Sequence, residues 1–358
     1  MGDACRGVSS VNGGIRIVGI SSTVPKEKLE LSSLSGLYGE KYIKKVSAVT
    51  GIYTVRVAPA GMTASDYCID AAERLFRTVS YDRNSIDGLV FVSQSPDYIV
   101  PHTSAIMQHR LGLKNSIVAC DVNYGCPGFA FGLCQAYSWL NAGVAKKVLL
   151  CCGDTMTGKI NDNDKALRLV MGDGGSAVII EKSVDAEIAF RFFTDGSRAN
   201  RLIVKAGAAR LPREQGMTDI LTVDEDGNGR SLENLYMDGI EVMNFALKDV
   251  VGVVSNLISD MRWSKEVVDC YIFHQANALI VKYLAKKLRV PVEKVPLGIA
   301  DIGNTSSASI PIMLNRNYGS GSYVDFGKTV ICGFGTGLSS VACAMNMNRV
   351  YMDALSEL

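Results

Sequence analysis

Short apolar strands alternate with amphipathic helices along nearly the whole chain, and the alternation is run through twice. Gly88-Leu-Val-Phe-Val reads as a buried strand, Ser104 to Leu111 as a short helix, and 116–122 as a second strand that breaks at Gly125. The same order returns as a strand over 268–273, a helix over 278–288, a strand over 293–299 and a Gly-led turn at Gly303-Asn304. A second echo links Gly172-Asp-Gly-Gly-Ser-Ala-Val-Ile-Ile to Gly333-Phe-Gly-Thr-Gly-Leu-Ser-Ser-Val. Strands that alternate with helices imply a layered α/β architecture. With 358 residues, 47% of them hydrophobic, the chain can bury a large core as one big domain or two fused ones.

The remaining pattern fits this outline. Residues 15–24 read as a strand closing at Pro25, and Thr63-Ala-Ser-Asp66 as a capping box with Asp in place of Glu. The helix after it carries Tyr67, Cys68, Ala71, Leu75 and Phe76 on one face. A helix over 128–142 and strands over 147–152 and 176–180 complete the first half. The second half opens on the amphipathic stretch Leu232 to Trp263 and ends with a helix over 307–316 and strands over 328–333 and 338–345. Between the halves, Phe190 to Arg230 is polar and charged and reads as loop, with Gly227-Asn-Gly229 at a tip.

Composition excludes several functions. A net charge of +1 gives no basic surface of the kind that binds nucleic acid. No stretch reaches the ~18 apolar residues needed to span a bilayer, so no membrane role is expected. Met1-Gly-Asp-Ala-Cys-Arg-Gly7 has no apolar segment of the signal-peptide kind, and a cytoplasmic protein is expected. None of the ten cysteines forms a Cys-x-x-Cys pair, and the three histidines offer no ligand spacing, so no metal site is expected. His102 and His109 read as surface or packing residues. Most cysteines lie in apolar segments (Cys120, Cys151, Cys152, Cys270, Cys332, Cys343) and read as reduced and buried.

Three strand ends stand apart. In Ser116-Ile-Val-Ala-Cys-Asp-Val-Asn-Tyr-Gly-Cys126-Pro-Gly-Phe129 a strand breaks at Gly125 and a helix restarts, with Pro127 at its first position. Cys126 is thereby placed at a helix N-terminus, where free N–H groups and the helix dipole favour a thiolate. Cys270-Tyr-Ile-Phe-His274-Gln-Ala-Asn277 and Gly303-Asn304-Thr-Ser-Ser-Ala-Ser309 are two further strand-to-turn segments. A lone Cys at a helix start is more often structural, and Asn304 alone reads as a capping or turn residue. Cys, His and Asn in three equivalent settings point instead to one nucleophilic site.

Gly125-Cys126-Pro-Gly-Phe129, His274-Gln-Ala-Asn277 and Gly303-Asn304-Thr-Ser-Ser-Ala-Ser309 closely resemble the three active-site motifs of the β-ketoacyl-acyl carrier protein synthase III family, within the thiolase superfamily. Met171-Gly-Asp-Gly-Gly-Ser-Ala177 resembles that family's mid-chain glycine turn, and Phe334-Gly-Thr-Gly337 its glycine-rich loop beside the nucleophile. The resemblance runs from about Ile15 to Asn346. It implies a thiolase-like fold, two α/β halves stacked in five α-β-α-β-α layers, with the expected halves at 1–185 and 236–358 and a variable region at 186–235 between them. It also implies a reaction. Cys126 takes an acyl group from a thioester, with the N–H groups of Cys126 and Thr336 as the oxyanion hole. A malonyl group on acyl carrier protein then loses carbon dioxide, and its carbanion attacks the acyl-Cys126 carbonyl. His274 and Asn304 serve as neutral donors to the enolate; an Asn can donate but cannot take a proton.

The same resemblance implies a homodimer with Val100 limiting the partner's acyl pocket. It implies carrier docking on Lys282, Lys286 and Lys287, for which a solvated helix face is the plainer reading. No bound cofactor is implied; coenzyme A or carrier thioesters are substrates. Housekeeping members place a Trp and an Arg before Thr-Gly-Ile to clamp the adenine of coenzyme A, whereas this chain has Tyr42-Ile-Lys-Lys-Val-Ser-Ala-Val-Thr-Gly-Ile52. Leu279 replaces the family's arginine early in the docking helix. A specialised paralogue, with a donor other than short acyl-CoA or with weakened coenzyme A binding, is therefore expected. The alternatives are a thiolase using Cys332 as acid/base, a hydroxymethylglutaryl-CoA synthase, for which no acidic base is placed, and a catalytically silent dimer partner.

Overall fold

The computed structural model describes residues 8–10, 13–183 and 186–358; the Met1–Gly7 reading and the proposed boundary at 185 lie outside them. Two sheets dominate. The larger runs in the order Ser322–Val324, Val350–Met352, Gly14–Val24, Gly174–Ser183, Lys147–Asp154, Gly88–Val92, Val118–Val122, with Ser356–Glu357 also paired to Gly14–Val24. The smaller runs Val8–Ser10, Ile188–Thr194, Ser339–Met347, Gly327–Gly335, Cys270–Phe273.

Side-chain alternation along the strands sorts the molecule into five layers. Val148, Leu150 and Cys152 face inward, with Ile331, Val341 and Cys343 of the other sheet. Between the sheets lie two helices, Gly128–Asn141 and Ser309–Tyr318, which contribute Phe129, Leu133, Ala136, Ile310 and Met313 to the same core. Leu149, Cys151, Ala177 and Ile179 face the other way, onto helices Ala64–Thr78 and Thr103–Arg110. On the far side Tyr271, Phe273, Val330 and Ala342 pack against Val254, Leu257, Val281 and Leu284 of the outermost helices. The expected α-β-α-β-α stack is present.

The continuous helical run Gly239–Asp260 is long and apolar enough, by length and composition, to cross a membrane. Its Val242, Phe245, Val250, Val254 and Leu257 are instead buried in that outer core, so its apolar side is already used. The Thr63 capping box forms as expected, the Asp66 carboxylate accepting the Thr63 N–H at 2.8 Å.

Two expectations fail. The predicted strand at 293–299 is a short 3-10 turn, Val292–Lys294, followed by irregular chain. Pro296 removes a ladder donor there, and the Gly298 N–H goes to the Gln275 side chain at 3.1 Å. Conversely, Ile188–Thr194 lies in the stretch read as loop, yet it is a strand of the smaller sheet, paired with Ser339–Met347. The 186–235 region is thus partly sheet. The strands also cross the proposed halves: Val350–Met352 and Ser322–Val324 belong to the larger sheet, and Val8–Ser10 to the smaller.

Candidate active site

Cys126 sits where the edge strand Val118–Val122 gives way to the central helix Gly128–Asn141. The Gly128 N–H donates to the Gly125 carbonyl at 2.7 Å, closing a tight turn. Pro127 has helical dihedrals but is the N-cap residue, one place earlier than the sequence reading put it. A Cβ on Gly125 would meet the flexible end of the Gln94 side chain, which would have to swing aside.

His274 follows the strand Cys270–Phe273, its N–H donating to the Cys332 carbonyl at 2.8 Å. Its Nδ1 lies 2.6 Å from the Ser309 Oγ, which also accepts the Gln275 N–H at 3.4 Å. When the Ser309 hydroxyl donates to Nδ1, the imidazole proton sits on Nε2. The ring packs edge-on to Phe334 at 5.4 Å. In the rest of that motif, Gln275 ties down the Phe273 carbonyl at 2.8 Å and Asn277 caps the helix Ala278–Leu288 through the Ile280 N–H. Only His274 is left for chemistry.

Asn304 is held by its backbone to the glycine turn of the first half. Its N–H donates to the Val170 carbonyl at 2.8 Å, and its carbonyl accepts the Gly172 N–H at 3.0 Å. A Cβ on Gly303, where φ is +85°, would sit 2.8 Å from a Val55 methyl. The Asn304 Oδ1 accepts the Ser306 N–H at 3.0 Å, which leaves its NH2 as the remaining donor.

Two segments bring these residues to one place. The first is the Asn304 turn itself. Its Ser306 Oγ accepts the Cys126 thiol at 4.0 Å, and its Ser309 Oγ meets His274. The second is the end of the strand Gly327–Gly335. A Cβ on Gly333 would lie 2.6 Å from Pro127 Cα, and one on Gly335 would lie 2.7 Å from Cys126 Cβ and 3.0 Å from its Sγ. Between these glycines Phe334 touches His274. The glycine-rich loop does pack on the nucleophile turn, with Gly335 directly against Cys126 and Thr336 next in the chain.

Cys126, His274 and Asn304 are 9%, 1% and 8% exposed. Burial pushes the Cys126 thiol up to about 12, and the nearby Asp154 carboxylate adds to the rise, while the Ser306 hydroxyl and a backbone N–H oppose it. The expected lowering by the helix start is therefore overridden in the closed site, because desolvation is the larger effect. Burial lowers His274 to about 3, so the imidazole stays neutral at physiological pH.

Other expected site residues lie elsewhere. Lys282, Lys286 and Lys287 are exposed on the helix Ala278–Leu288, without an ion-pair partner among the described residues. Val100 is 80% exposed in a surface turn with Tyr98 and Ile99, away from Cys126 within one chain. Cys332 points into the outer core with Tyr271 and Phe273, on the opposite side of its strand from the nucleophile turn, which removes the thiolase reading's second cysteine. Tyr42 is half-buried with the Lys165 ammonium over its ring at 5.1 Å. Sequence reasoning missed Asp154, Ser306 and Ser309. A charged residue ending the apolar run Val148-Leu-Leu-Cys-Cys-Gly-Asp154 was the available signal for the first.

A duplicated five-layer fold with a buried Cys, His and Asn at its centre defines an enzyme of the thiolase superfamily. The profile of 3-oxoacyl-[acyl-carrier-protein] synthase III matches residues 120–196, and that of its C-terminal part matches 258–347. The chain is 30% identical to the β-ketoacyl-[acyl-carrier-protein] synthase III of Streptococcus equi subsp. zooepidemicus, over 90% of this chain and 96% of that one. It is also 30% identical to the synthase III of Porphyra purpurea, over 91% and 97%. The crystal structure of a 3-oxoacyl-(acyl-carrier protein) synthase from Burkholderia xenovorans superimposes with a TM-score of 0.91 at 33% identity, covering all of both chains. This chain belongs to the β-ketoacyl-acyl carrier protein synthase III family and is an enzyme of that kind.

Proposed function

We propose that the chain transfers an acyl group from a thioester to Cys126 and condenses it with a malonyl group on acyl carrier protein, releasing carbon dioxide and a β-ketoacyl carrier. The observation that carries this reading is the convergence of the Asn304 turn and the Gly333–Gly335 strand end, each of which touches both Cys126 and the His274 environment. A neutral His274 with its proton on Nε2 and an Asn304 amide are donors suited to an enolate oxygen. The N–H groups of Cys126 and Thr336 are the proposed oxyanion hole. Side chains and backbone supply all of this, so the reading needs no resident cofactor. In intact-mass spectrometry with acyl-CoA and acyl-carrier donors, the wild type is expected to gain one acyl mass and Cys126→Ala none. No adduct from any donor would favour the silent-partner reading.

The donor is proposed to be something other than short acyl-CoA. Tyr42 is the aromatic at the start of the stretch that precedes Thr50-Gly-Ile52, and its ring is already covered by Lys165, itself beside the Gly227 loop. Rapid loading from acetyl-CoA at low micromolar concentration argues against this.

Carrier proteins are acidic, and the three unpaired lysines on Ala278–Leu288 offer the complementary face. Charge reversal of Lys282, Lys286 and Lys287 to Glu is expected to raise KM for the malonyl carrier about tenfold or more while leaving kcat within about twofold, the pattern for lost docking. Equal KM values for the variant and wild type at low salt would return these lysines to an ordinary solvated face. The exposed Tyr98-Ile99-Val100 turn supports the homodimer reading, in which a second copy covers it.

A further inference from the structure

Residues 295–303, which lead into Asn304, lie outside helix and strand, so their backbone groups must be held by other means. The segment ending in the short strand Thr54–Arg56 supplies the partners. The N–H groups of Tyr53 and Thr54 donate to the Ala300 carbonyl at 2.9 and 3.2 Å, and the Arg56 N–H donates to the Ile302 carbonyl at 3.0 Å. The Asp301 carbonyl between these two accepts instead from the Arg56 side chain, Nε donating at 3.2 Å. The Arg56 carbonyl accepts the Asp173 N–H at 2.9 Å, and the neighbouring Gly172 N–H holds the Asn304 carbonyl. Arg56 is thus bonded both to the chain that enters the Asn304 turn and to the glycine turn on which Asn304 hangs.

The rest of the guanidinium is anchored elsewhere. Arg56 is 3% exposed; its Nη1 donates to the Pro25 carbonyl at 2.9 Å and its Nη2 to Glu357 Oε1 at 2.7 Å. Glu357 is itself 40% exposed. Taking a guanidinium out of water offsets most of what such an ion pair gains, so stability alone is a poor reason for it. What the planar fork supplies is geometry, since one rigid group joins acceptors on three separate segments at Pro25, Asp301 and Glu357. The Asp301 carboxylate also meets Arg316 Nε at 2.7 Å, so that residue is fixed at its carbonyl and at its side chain.

We propose that Arg56 is a positioning residue for Asn304: anchored by Glu357 and Pro25, it fixes the Asp301 carbonyl and with it the angle at which the Asn304 amide meets the enolate. The proposal rests on Asn304 being an enolate donor in the condensation step. Acylation draws on Cys126 and the strand end Gly333–Gly335, which Arg56 does not touch, so the two half-reactions should separate.

The test compares the wild type, Arg56→Lys, Asn304→Ala and the double variant, with a melting temperature for each. Acylation is read by intact mass, and discharge of pre-acylated enzyme by malonyl carrier in a single turnover. Lysine keeps the positive charge but is a point donor, without the fork that spans three acceptors. Arg56→Lys should discharge about 10–100-fold more slowly, the scale for displacing a reacting group by up to about 1 Å, with acylation and the KM for malonyl carrier within about threefold of wild type. In the double variant the lysine should add less than about twofold to the loss from Asn304→Ala, because the group it positions is gone. Should Arg56→Lys melt too low to assay, Glu357→Gln takes its place in the same cycle, with an expected loss of about three- to tenfold. A wild-type discharge rate in the substituted enzyme overturns the proposal. Equal losses in acylation and discharge, or losses that multiply in the double variant, mark a merely structural role and overturn it too. Asn304→Ala with the wild-type discharge rate overturns the reading of Asn304 and the proposal with it, whereas an impaired Asn304→Ala beside a normal Arg56→Lys overturns the positioning alone.

Discussion

His274→Ala is expected to slow condensation by about 10²–10³-fold, the loss of one preorganised donor at about 2.7–4 kcal/mol, while acylation of Cys126 stays within about threefold. The split follows from placement. His274 is reached through Ser309 and Phe334, whereas the Cys126 thiol meets Ser306. The variant enzyme should therefore accumulate as the acyl form, and malonyl carrier should fail to discharge it. The pH dependence separates donor from base. With its pKa lowered to about 3 by burial, His274 is neutral at every pH from about 5 upward, so wild-type condensation should lose nothing to its protonation between pH 8 and 5.5. A condensation rate that falls tenfold per unit below pH 6.5, and stops doing so in His274→Gln, would instead make it a general base. Discharge measured in a single turnover from pre-acylated enzyme gives both readings.

Gly335→Ala is expected to abolish acylation to below about 1% of wild type. A Cβ at this position would lie 2.7 Å from Cys126 Cβ and 3.0 Å from its Sγ, and the strand that carries it is fixed by pairing on both sides. Overpacking of this kind costs about 1–3 kcal/mol of stability. The larger effect is on geometry, since displacing a nucleophile by about 1 Å can cost about 10²-fold. Gly252→Ala is the control: its position in the helix Val251–Asp260 has nothing within 4 Å, so it should keep full activity and gain about 0.5–1 kcal/mol from helix propensity. Melting temperatures and acylation rates of the two variants, measured side by side, check the comparison. A fully active Gly335→Ala would show that the strand end yields to the nucleophile turn.

Most of the scaffold was legible because strand period and helix period each leave a local trace. The strand Lys147–Asp154, the helix Gly128–Asn141 and the helix Ala278–Leu288 could be placed from apolar spacing within a residue or two. Ile188–Thr194 was overlooked because Arg191 and a polar continuation masked a run whose Ile188, Ala189 and Phe190 are buried. The 293–299 stretch misled for the opposite reason: its apolar residues are buried, but Pro296 and the Gln275 side chain take the places a ladder would need. Cys126, His274 and Asn304 were visible as motifs. That Asn304 hangs on Val170 and Gly172, and that Ser309 holds the His274 ring, are contacts across 35 to more than 130 residues of chain, which no local pattern encodes. The protonation state was misjudged as well. The helix start is read from sequence, whereas desolvation exists only once the layers have closed.

The strands that cross between the proposed halves bear on when the surroundings of Cys126 come into being. Residues 350–352 and 356–357 close onto Gly14–Val24, so the larger sheet is joined by strands more than 300 residues apart in the chain. The Asn304 turn, which carries Ser306 to the thiol, likewise docks on a turn made some 130 residues earlier. A growing chain thus carries Cys126 for 180 residues before Ser306, its hydroxyl partner, is made. Over that interval it is an ordinary thiol, not yet enclosed by the turn and the glycine strand end that bury it in the folded protein. The enclosure is a product of assembly order: it comes into being when distant turns dock, and not with the cysteine itself.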